Sequence, residues 1–544
     1  MSFLFSWSGF LKRVSYKRLY FSREILFVCL VLICVAIFRP DKICIADESD
    51  LPVTGSPQVQ SETTSPSTAT AEQNNLTDTE IFAKYQSTLH KIIDKCTELN
   101  MLLEAKITRQ LLWETDPYGF IASRFPREPM PELLPEDATA YQKSWYRALL
   151  RLRQSCSDSL FQKALEAADQ RRGHDAFQIV LTTLYVNPDH AQARKILGYS
   201  LVDGCWRTAW ELRQIQRGLV DHPKYGWIKK EDVSAYESGK RPFRNQWITE
   251  EEDNSRPKTT KTGWKIETEH YVMETSYSLE EGVRICRRLE TFHVAWLQLF
   301  YRFTGQDKQW AFIVSGHGKI PARRHKVTFF KNRAEYVEQL KKRENNIESS
   351  YGGYFPQEET IFIYFPAPDE GSHLDTLLVH EATHQLFQEC RPASSNQQRK
   401  KNRSLPGKKS NFWVLEAFST YMETFRVDGN VYRIGGTNSL RFQRAKERAT
   451  ESDGLLSLRE FSGMSIEAFQ RYPDLAMLYT ESAGLASFFL HYDHGRYRNA
   501  FILYLYLVYE ELDSVNTLER LTKRSFEQMD EEFHRFMLDA PGLQ

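Results

Sequence analysis

The pentapeptide His380-Glu381-Ala382-Thr383-His384 constrains this chain more than any other segment, because its residues can act together only on a helix. Histidines four residues apart project from the same side of consecutive helical turns. Ser372 and Asp375 have the spacing of a capping box ahead of the motif. Apolar residues at helical spacing supply a face that can be buried, namely Leu374, Leu377, Leu378, Leu386 and Phe387. We therefore predict a helix that directs two imidazoles to one point.

This arrangement predicts zinc chemistry. Two imidazoles on one helical face can coordinate a single Zn²⁺ at about 2.0–2.1 Å each, which makes His380 and His384 candidate metal ligands. Glu381 lies one residue along, displaced around the helix, where it would stand beside a metal-activated water as a general base. The alternative is a pair of surface histidines on an ordinary helix.

A catalytic zinc ion needs a third protein ligand and an open fourth position. We predict Glu416 as that ligand, 32 residues after His384 in a second apolar, helical segment over 411–423. A carboxylate buried in such a segment needs a partner, and a zinc ion would supply one. The alternative is a glutamate on the solvent side of an amphipathic helix, a description that fits Glu423 better.

Together the two segments resemble the gluzincin peptidases, in which a downstream glutamate completes the HExxH zinc site. Aminopeptidase members place a Glu-Gly-x-Ala-x-Tyr type of segment there, and this chain has Glu416-Ala417-Phe418-Ser419-Thr420-Tyr421, with alanine in place of glycine. Thermolysin-like members place an aspartate four residues after the ligand glutamate. Here that position is Thr420, so that partner of a zinc histidine is missing or replaced.

The chain is still more similar to secreted bacterial proteins that carry a gluzincin-like C-terminal domain of unassigned function. The resemblance covers roughly residues 170–540 and rests on segments 193–199, 204–206, 380–386, 413–423 and 479–485. It implies a zincin-like fold and a metal site, and it implies no particular substrate. Gluzincins often place a tyrosine or histidine donor on a later helix, which makes Tyr479 a candidate catalytic residue. The alternative is a tyrosine that belongs to the core.

Residues 263–544 are predicted to form an α+β domain with a mixed sheet, an active-site helix and a helical C-terminal part. β-Branched and aromatic residues predict strands over 265–275, 311–314, 326–330 and 360–365. Amphipathic segments predict helices over 278–303 and 333–343, and nearly all of the chain after residue 371 has a helical pattern.

Residues 80–215 are predicted to form an all-α domain, with apolar residues at helical spacing over 81–99 and a long helix over 141–171. Two short helices around Asn187-Pro188 resemble a single tetratricopeptide-like pair, which offers a surface for protein partners. The alternative is an irregular helical domain, since one such pair cannot bury its own faces. Residues 216–262 are predicted to be a connecting arm.

The N-terminal region indicates export. Basic residues precede an apolar run over 25–38, which is shorter than the roughly 20 residues of a membrane-spanning helix. Residues 1–46 are therefore predicted to be a signal peptide, or alternatively an N-terminal membrane anchor. The Ser/Thr-rich residues 47–79 cannot bury enough apolar surface to offset their ordering entropy and are predicted to be a disordered linker. We expect a periplasmic, cell-surface or secreted protein.

Charge and cysteine content argue against two other kinds of protein. Lys+Arg and Asp+Glu both number 71, and this zero net charge argues against a nucleic-acid-binding protein. Only five cysteines follow residue 46, and they are scattered along the chain. The sequence contains no Cys-x-x-Cys pair, so a zinc site built from cysteines is not predicted. One bridge between Cys96 and Cys156 is compatible with the helical pattern.

The sequence thus predicts an exported zinc-dependent hydrolase, a peptidase that acts on a peptide or protein substrate. His380, His384 and Glu416 would bind Zn²⁺, and Glu381 would be the general base. Two alternatives remain at this point: a non-catalytic scaffold that contains zinc, and an interaction protein without metal. The presence of Glu381 argues against the first alternative, because a purely structural site has no use for a base.

Overall fold

The computed structural model describes residues 76–131, 133–134, 136–343, 347–365, 372–391, 405–451 and 454–542. The predicted signal peptide or anchor over 1–46, and the predicted linker up to residue 75, lie outside the described residues. The described residues all belong to one compact unit. In the part of the chain that is described, no helix is both long enough and apolar enough to cross a membrane.

Most of the described chain is helical. The helices are α1 Asp78–Glu98, α2 Leu102–Arg109, α3 Ala140–Asp169, α4 Gly173–Val186, α5 Ala191–Ile196, α6 Ala209–Gln216, α7 Val233–Glu237, α8 Glu250–Ser255, α9 Leu279–Thr304, α10 Asp307–Val314, α11 Arg333–Leu340, α12 Ser372–Glu389, α13 Trp413–Met422, α14 Leu440–Ala449, α15 Leu458–Gly463, α16 Ile466–Gln470, α17 Leu475–Gly495, α18 Arg498–Tyr509, α19 Thr517–Thr522 and α20 Phe526–Asp539.

Within the described residues the strands are short and form five sheets. They are β1 Gly119–Ser123, β2 Tyr199–Val202, β3 Cys205–Thr208, β4 Leu219–His222, β5 Gly226–Lys229, β6 Lys240–Phe243, β7 Gln246–Thr249, β8 Trp264–Glu267, β9 Tyr271–Thr275, β10 His325–Phe330, β11 Gly352–Phe355, β12 Thr360–Tyr364, β13 Arg426–Asp428 and β14 Val431–Gly435. A chain with separate helical and sheet regions of this kind is α+β, as predicted.

The largest sheet has five strands in the order β11-β12-β10-β9-β8. The two inner pairs, β12 with β10 and β10 with β9, are parallel, and the outer pairs at both edges are antiparallel. The sheet is therefore mixed, as expected. Helix α12, which carries the HExxH motif, packs against strands β11 and β12 at one side of this sheet. This position places the motif beside the β11 edge.

The prediction of a strand over residues 311–314 is wrong, because they form the end of helix α10. Apolar residues run without interruption there, and periodicity cannot distinguish a short buried helix from a strand. Tertiary packing decides the outcome: Trp310 of α10 packs against Phe177 of α4, with ring centroids 4.2 Å apart. The predicted helices over 278–303 and 333–343 are present as α9 and α11.

Residues 80–215 are mainly helical, but the prediction that they are all α is wrong. Strand β1 pairs antiparallel with β14, more than 300 residues later in the chain. Strands β2 and β3 form a hairpin near the end of the same region. The helix pair around Asn187-Pro188 is present as α4 and α5. Long-range pairing such as that of β1 leaves no local sequence pattern, because its partner strand is distant.

The predicted connecting arm over 216–262 contains regular structure that the sequence interpretation missed. Three successive units over 199–255 each consist of a hairpin of two four-residue strands and a short helix: β2-β3-α6, β4-β5-α7 and β6-β7-α8. The second strand of each hairpin has tryptophan at its second position, Trp206, Trp227 and Trp247, paired with the third residue of the first strand. A glycine with positive φ precedes each unit (Gly198, Gly218 and Gly239). The regular spacing of these three tryptophans is the sequence pattern from which this repeat could have been predicted.

Two large apolar cores stabilise the fold. One core fills the space between the five-stranded sheet, α9, α12, α13 and the C-terminal helices. The second core joins helices α1 to α5 and includes side chains from α9 and α10, namely Tyr301, Trp310, Ala311, Ile313 and Val314. The N-terminal helices thus share apolar contacts with the α9–α10 segment. The five described cysteines are free thiols, so the suggested Cys96–Cys156 bridge is absent.

Candidate metal centre

Helix α12 presents the predicted motif residues from a buried position. On the face of α12 away from the two histidines, Leu378, Ala382 and Leu386 pack into the apolar core that lies against the five-stranded sheet. This packing orients the polar face of the helix. His380 and Glu381 are each 3% exposed, and His384 is partly exposed. The apolar residues that predicted this helix therefore determine where its imidazoles point. The side chain of Ser372 lies outside what the structure describes, so the predicted capping box is untested.

Helix α13 supplies Glu416 from inside the core, since all ten of its residues are buried. Asn411 turns the chain into this helix with a φ of 60°, in the left-handed region that asparagine tolerates. Its side-chain amide donates to a carboxylate oxygen of Asp513 at 2.7 Å and accepts a hydrogen bond from the Tyr504 hydroxyl at 2.5 Å. These bonds fix the start of α13 and thereby the position of Glu416.

Three predicted ligands meet between α12 and α13. His380 Nε2 lies 3.2 Å from His384 Nε2 and 3.3 Å from Glu416 Oε2, and His384 Nε2 lies 3.7 Å from Glu416 Oε1. Ligand atoms at about 2.05 Å from a tetrahedral zinc ion are about 3.3 Å apart, so these separations suit one zinc ion. The donor atoms of all three residues lie within 4.8 Å of one another. The residues present therefore fit a zinc ion.

The charges around the three residues also favour a cation. Burial lowers the pKa of His380, but hydrogen bonds to Glu416 and Glu423 outweigh burial and raise it. Burial raises the pKa of Glu416, and the charges and hydrogen bonds of His384 and His380 lower it below its ordinary value. Both pKa shifts mean that the buried carboxylates stabilise a positive charge on the neighbouring imidazoles. A metal cation between the three side chains would be stabilised in the same way as the proton that gives the imidazole its charge.

Glu423 is a site residue that the sequence interpretation assigned to solvent. It follows the last residue of α13, and its side chain is 13% exposed. The Nδ1–H of His380 donates to Glu423 Oε1 at 2.9 Å, and Arg441 Nε donates to Glu423 Oε2 at 2.9 Å. This carboxylate orients His380 with its Nε2 towards the other ligands. Glu423 thus provides the histidine partner that Thr420 cannot, since the Thr420 hydroxyl donates to a helix carbonyl.

Glu381 lies beside the ligands with its two oxygens in different environments. The backbone N–H of Tyr354 in β11 donates to Oε2 at 2.6 Å, whereas Oε1 has no hydrogen-bond partner among the described residues. Burial raises the pKa of the Glu381 carboxyl above its ordinary value. A fixed carboxylate with one unpartnered oxygen and a raised pKa can accept a proton from a nearby donor.

Tyr479 on helix α17 lies next to His380, a candidate ligand, with ring centroids 6.4 Å apart. The Arg441 guanidinium lies 5.5 Å from the centre of the Tyr479 ring. Arg441 therefore contacts both Tyr479 and Glu423. The structure brings Tyr479 to the edge of the predicted site, but its hydroxyl has no hydrogen bond to the ligands.

A cleft opens onto Glu381, His384 and Glu416, and its walls are largely apolar. Strand β11 and the residues after it contribute Tyr354 and Pro356 to the walls. The remaining wall residues are Gln388, Leu405, Pro406, Phe412, Leu415, Ile466 and Tyr509. The cleft can therefore accept an apolar group next to the three ligands.

No family model matches this chain, and no curated protein matches its sequence.

Proposed function

We propose that this protein is a zinc-dependent hydrolase that cleaves peptide bonds. The observation that carries the proposal is the convergence of His380, His384 and Glu416 at zinc-ligand spacing, next to the unpartnered oxygen of Glu381. A site that only stabilises the fold has no need of that carboxylate. The gluzincin-like motifs and the position of α12 beside a mixed sheet support a zincin-like fold for the catalytic region.

Each polar residue has a proposed task in the reaction. A zinc ion, when bound, supplies a Lewis acid that polarises a carbonyl group and lowers the pKa of water. Glu381 accepts the proton of the attacking water on Oε1 and later passes it to the leaving amine. The Tyr354 N–H holds the other oxygen in place. Glu423, itself held by Arg441, keeps the imidazole of His380 in the ligand orientation.

The proposed substrate is a peptide or protein with an apolar side chain near the scissile bond. The cleft beside the ligands has apolar walls that include Phe412, Leu415 and Ile466. Burying an apolar group of leucine size in such walls contributes about 1.5–3 kcal/mol of binding free energy. We propose Tyr479 as a donor to the developing oxyanion, because Arg441 holds it beside His380.

A chelator and two variants test this proposal. We expect Glu381→Gln to keep its zinc and to lower hydrolysis of a peptide library by about 10²–10⁴-fold, because only the base is lost. His384→Gln removes a proposed ligand, so it should lose one equivalent of zinc together with activity. Wild-type activity should disappear with a zinc chelator and return when zinc is added. Full activity of Glu381→Gln would refute the mechanism.

A non-catalytic scaffold that contains zinc is the alternative function. In that case zinc would be present, and no member of a peptide library would be cleaved by the wild-type protein.

We also propose that the chain is exported, because basic residues precede the apolar run over 25–38. The N-terminal helices, with the tetratricopeptide-like pair α4–α5, are proposed to contact protein partners.

A further inference from the structure

A second group of metal-ligating side chains lies where α9, β10 and the end of α12 meet. His293 of α9, His325 of β10 and Cys390, the first residue after α12, place their donor atoms within 4.8 Å of one another. His293 is 7% exposed and His325 is fully buried. None of these residues takes part in the site formed by His380, His384 and Glu416.

His325 is oriented as a metal-binding histidine would be. Its Nδ1–H donates to Glu389 Oε2 at 2.8 Å, which leaves Nε2 as the nitrogen that can coordinate. That Nε2 lies 3.8 Å from Cys390 Sγ, close to the spacing of a nitrogen and a sulfur that share one zinc ion. A carboxylate behind the distal nitrogen is the usual support of a metal-bound histidine.

His293 completes the group. Its ring stacks on that of His270, with centroids 3.9 Å apart and planes inclined by 16°. His270 in turn is held by Glu290, whose carboxylate oxygen lies 2.8 Å from its Nδ1. The His293 imidazole makes no hydrogen bond to any residue that the structure describes. Burial lowers its pKa well below the ordinary value, so the ring is neutral. A buried, neutral imidazole without a partner is available as a ligand.

We propose that His293, His325 and Cys390 bind a second, thiophilic transition-metal ion of the zinc class. A set of two imidazoles and one thiolate is suited to zinc and copper and poorly suited to magnesium or calcium. The ion would join α9, β10 and the end of α12, the helix that also carries His380 and His384. Cys390 is six residues after His384, about 9 Å along the helix axis, so the two ions would be separate.

Binding requires that the thiol lose its proton. Burial raises the pKa of Cys390 to about 12, so the sulfur is protonated in the metal-free protein. The metal–sulfur bond forms as the S–H bond breaks, and one proton passes to solvent for each ion bound. Affinity for the ion should therefore fall as the pH is lowered.

Cobalt titration of the metal-free protein tests the proposal, because only a thiolate ligand gives a near-ultraviolet sulfur-to-cobalt charge-transfer band. The proposed catalytic site has nitrogen and oxygen donors alone and cannot give this band. We expect Co²⁺ to bind at two equivalents per wild-type chain, with the band present. Cys390→Ser should lose the band and one equivalent, whereas the matched control Cys205→Ser should lose neither.

A second measurement keeps the proposal falsifiable if Cys390→Ser folds poorly. In the wild-type chain, excess Zn²⁺ added to the cobalt-loaded protein should displace Co²⁺ and remove the band without any substitution. The band should persist in His384→Gln, which separates this site from the proposed catalytic one. Absence of the band in the wild type, its survival in Cys390→Ser, or its persistence in excess Zn²⁺ would overturn the assignment.

Discussion

Glu423 orients His380, through a single hydrogen bond, towards the other candidate ligands, His384 and Glu416. Its carboxylate accepts from His380 Nδ1 and from Arg441, so the imidazole cannot rotate without breaking a buried, charge-assisted bond. Such partners of metal-binding histidines contribute to metal affinity although they never touch the ion. The proposed metal site thus depends on a residue that follows helix α13 and on another that belongs to α14.

Replacing Glu423 with glutamine should weaken zinc binding by about 10–100-fold, because the neutral amide supports the imidazole less strongly. Competition with a chromogenic chelator measures this affinity. The matched control is Glu447→Gln, an exposed glutamate on α14, which should leave zinc affinity unchanged. Equal affinities in wild type and Glu423→Gln would show that the Glu423–His380 bond does not support the metal.

His491 should make the protein sensitive to acid. It is buried in α17, and the Tyr421 hydroxyl lies 2.6 Å from its Nε2. Burial, with a smaller contribution from Arg498, lowers its pKa from 6.5 to about 3. Because the native pKa is below the unfolded one, its neutral form stabilises the fold above pH 6.5, and this contribution falls as the pH decreases towards 3.

Between pH 6.5 and pH 4.5 the wild type should therefore lose about 2 kcal/mol more unfolding free energy than His491→Gln, which cannot take up the proton. Urea denaturation at the two pH values measures both losses. The comparison cancels the titration of carboxylates that the two proteins share. Identical pH dependence in both proteins would mean that His491 is protonated in the native state.

Helix α13 and strand β14 illustrate how tightly the elements around the site are packed. Gly435 ends β14 with a φ of 82°, and a Cβ at this position would overlap the Tyr421 hydroxyl. Tyr421 cannot move aside, because its hydroxyl bonds both His491 and the carbonyl of Ile434. At Gly435, strand β14 therefore lies closer to helix α13 than it could if this position had a side chain.

Gly435→Ala should lower the free energy of unfolding by about 2–4 kcal/mol, from the strained φ and from the overlap together. Gly429→Ala is the matched control, since Gly429 also has a positive φ of 56° but no described atom lies within 4 Å of the point that its Cβ would occupy. It should cost about 1 kcal/mol, from the backbone alone. Thermal unfolding followed by circular dichroism measures both, and equal losses would exclude the overlap as a cause.

On the scale of the whole molecule, the N-terminal helices and the α9–α10 segment share one apolar core. Trp310 lies between Phe177 and Tyr301, with ring centroids 4.2 Å and 5.6 Å away. Its indole N–H donates to the Tyr301 carbonyl at 3.0 Å. Since α9 also packs against α12, the helices of 78–196 and the site helix are connected through buried side chains. We expect them to unfold together.

Trp310→Ala should destabilise the protein by about 3–5 kcal/mol and lower the Tm while a single transition is retained. Phe312→Ala is the control on the same helix, because Phe312 is 57% exposed and its loss should change the stability by less than about 0.5 kcal/mol. Calorimetry follows both variants. Two separate transitions in Trp310→Ala would show that the N-terminal helices unfold independently.

The parts of the fold that the sequence predicted are those with strong local patterns. The helices α9 and α12 have apolar faces at helical spacing, and β10 and β12 have runs of β-branched and aromatic residues. Residues 311–314 were misassigned because a four-residue apolar run fits either a helix or a strand. The three hairpin units over 199–255 were missed because each strand has only four residues, too few to show alternation.

The sequence by itself determined the chemistry that the site could carry: His380, Glu381 and His384 on one helix, and Glu416 on another. Helical periodicity alone places the first three, because four residues make about one turn. Only the tertiary structure decided that Glu423 faces His380, that Tyr354 fixes Glu381, and that Cys390 meets His293 and His325. These contacts join residues 27 to 97 positions apart, and distances of that kind depend on how whole elements pack and leave no local pattern.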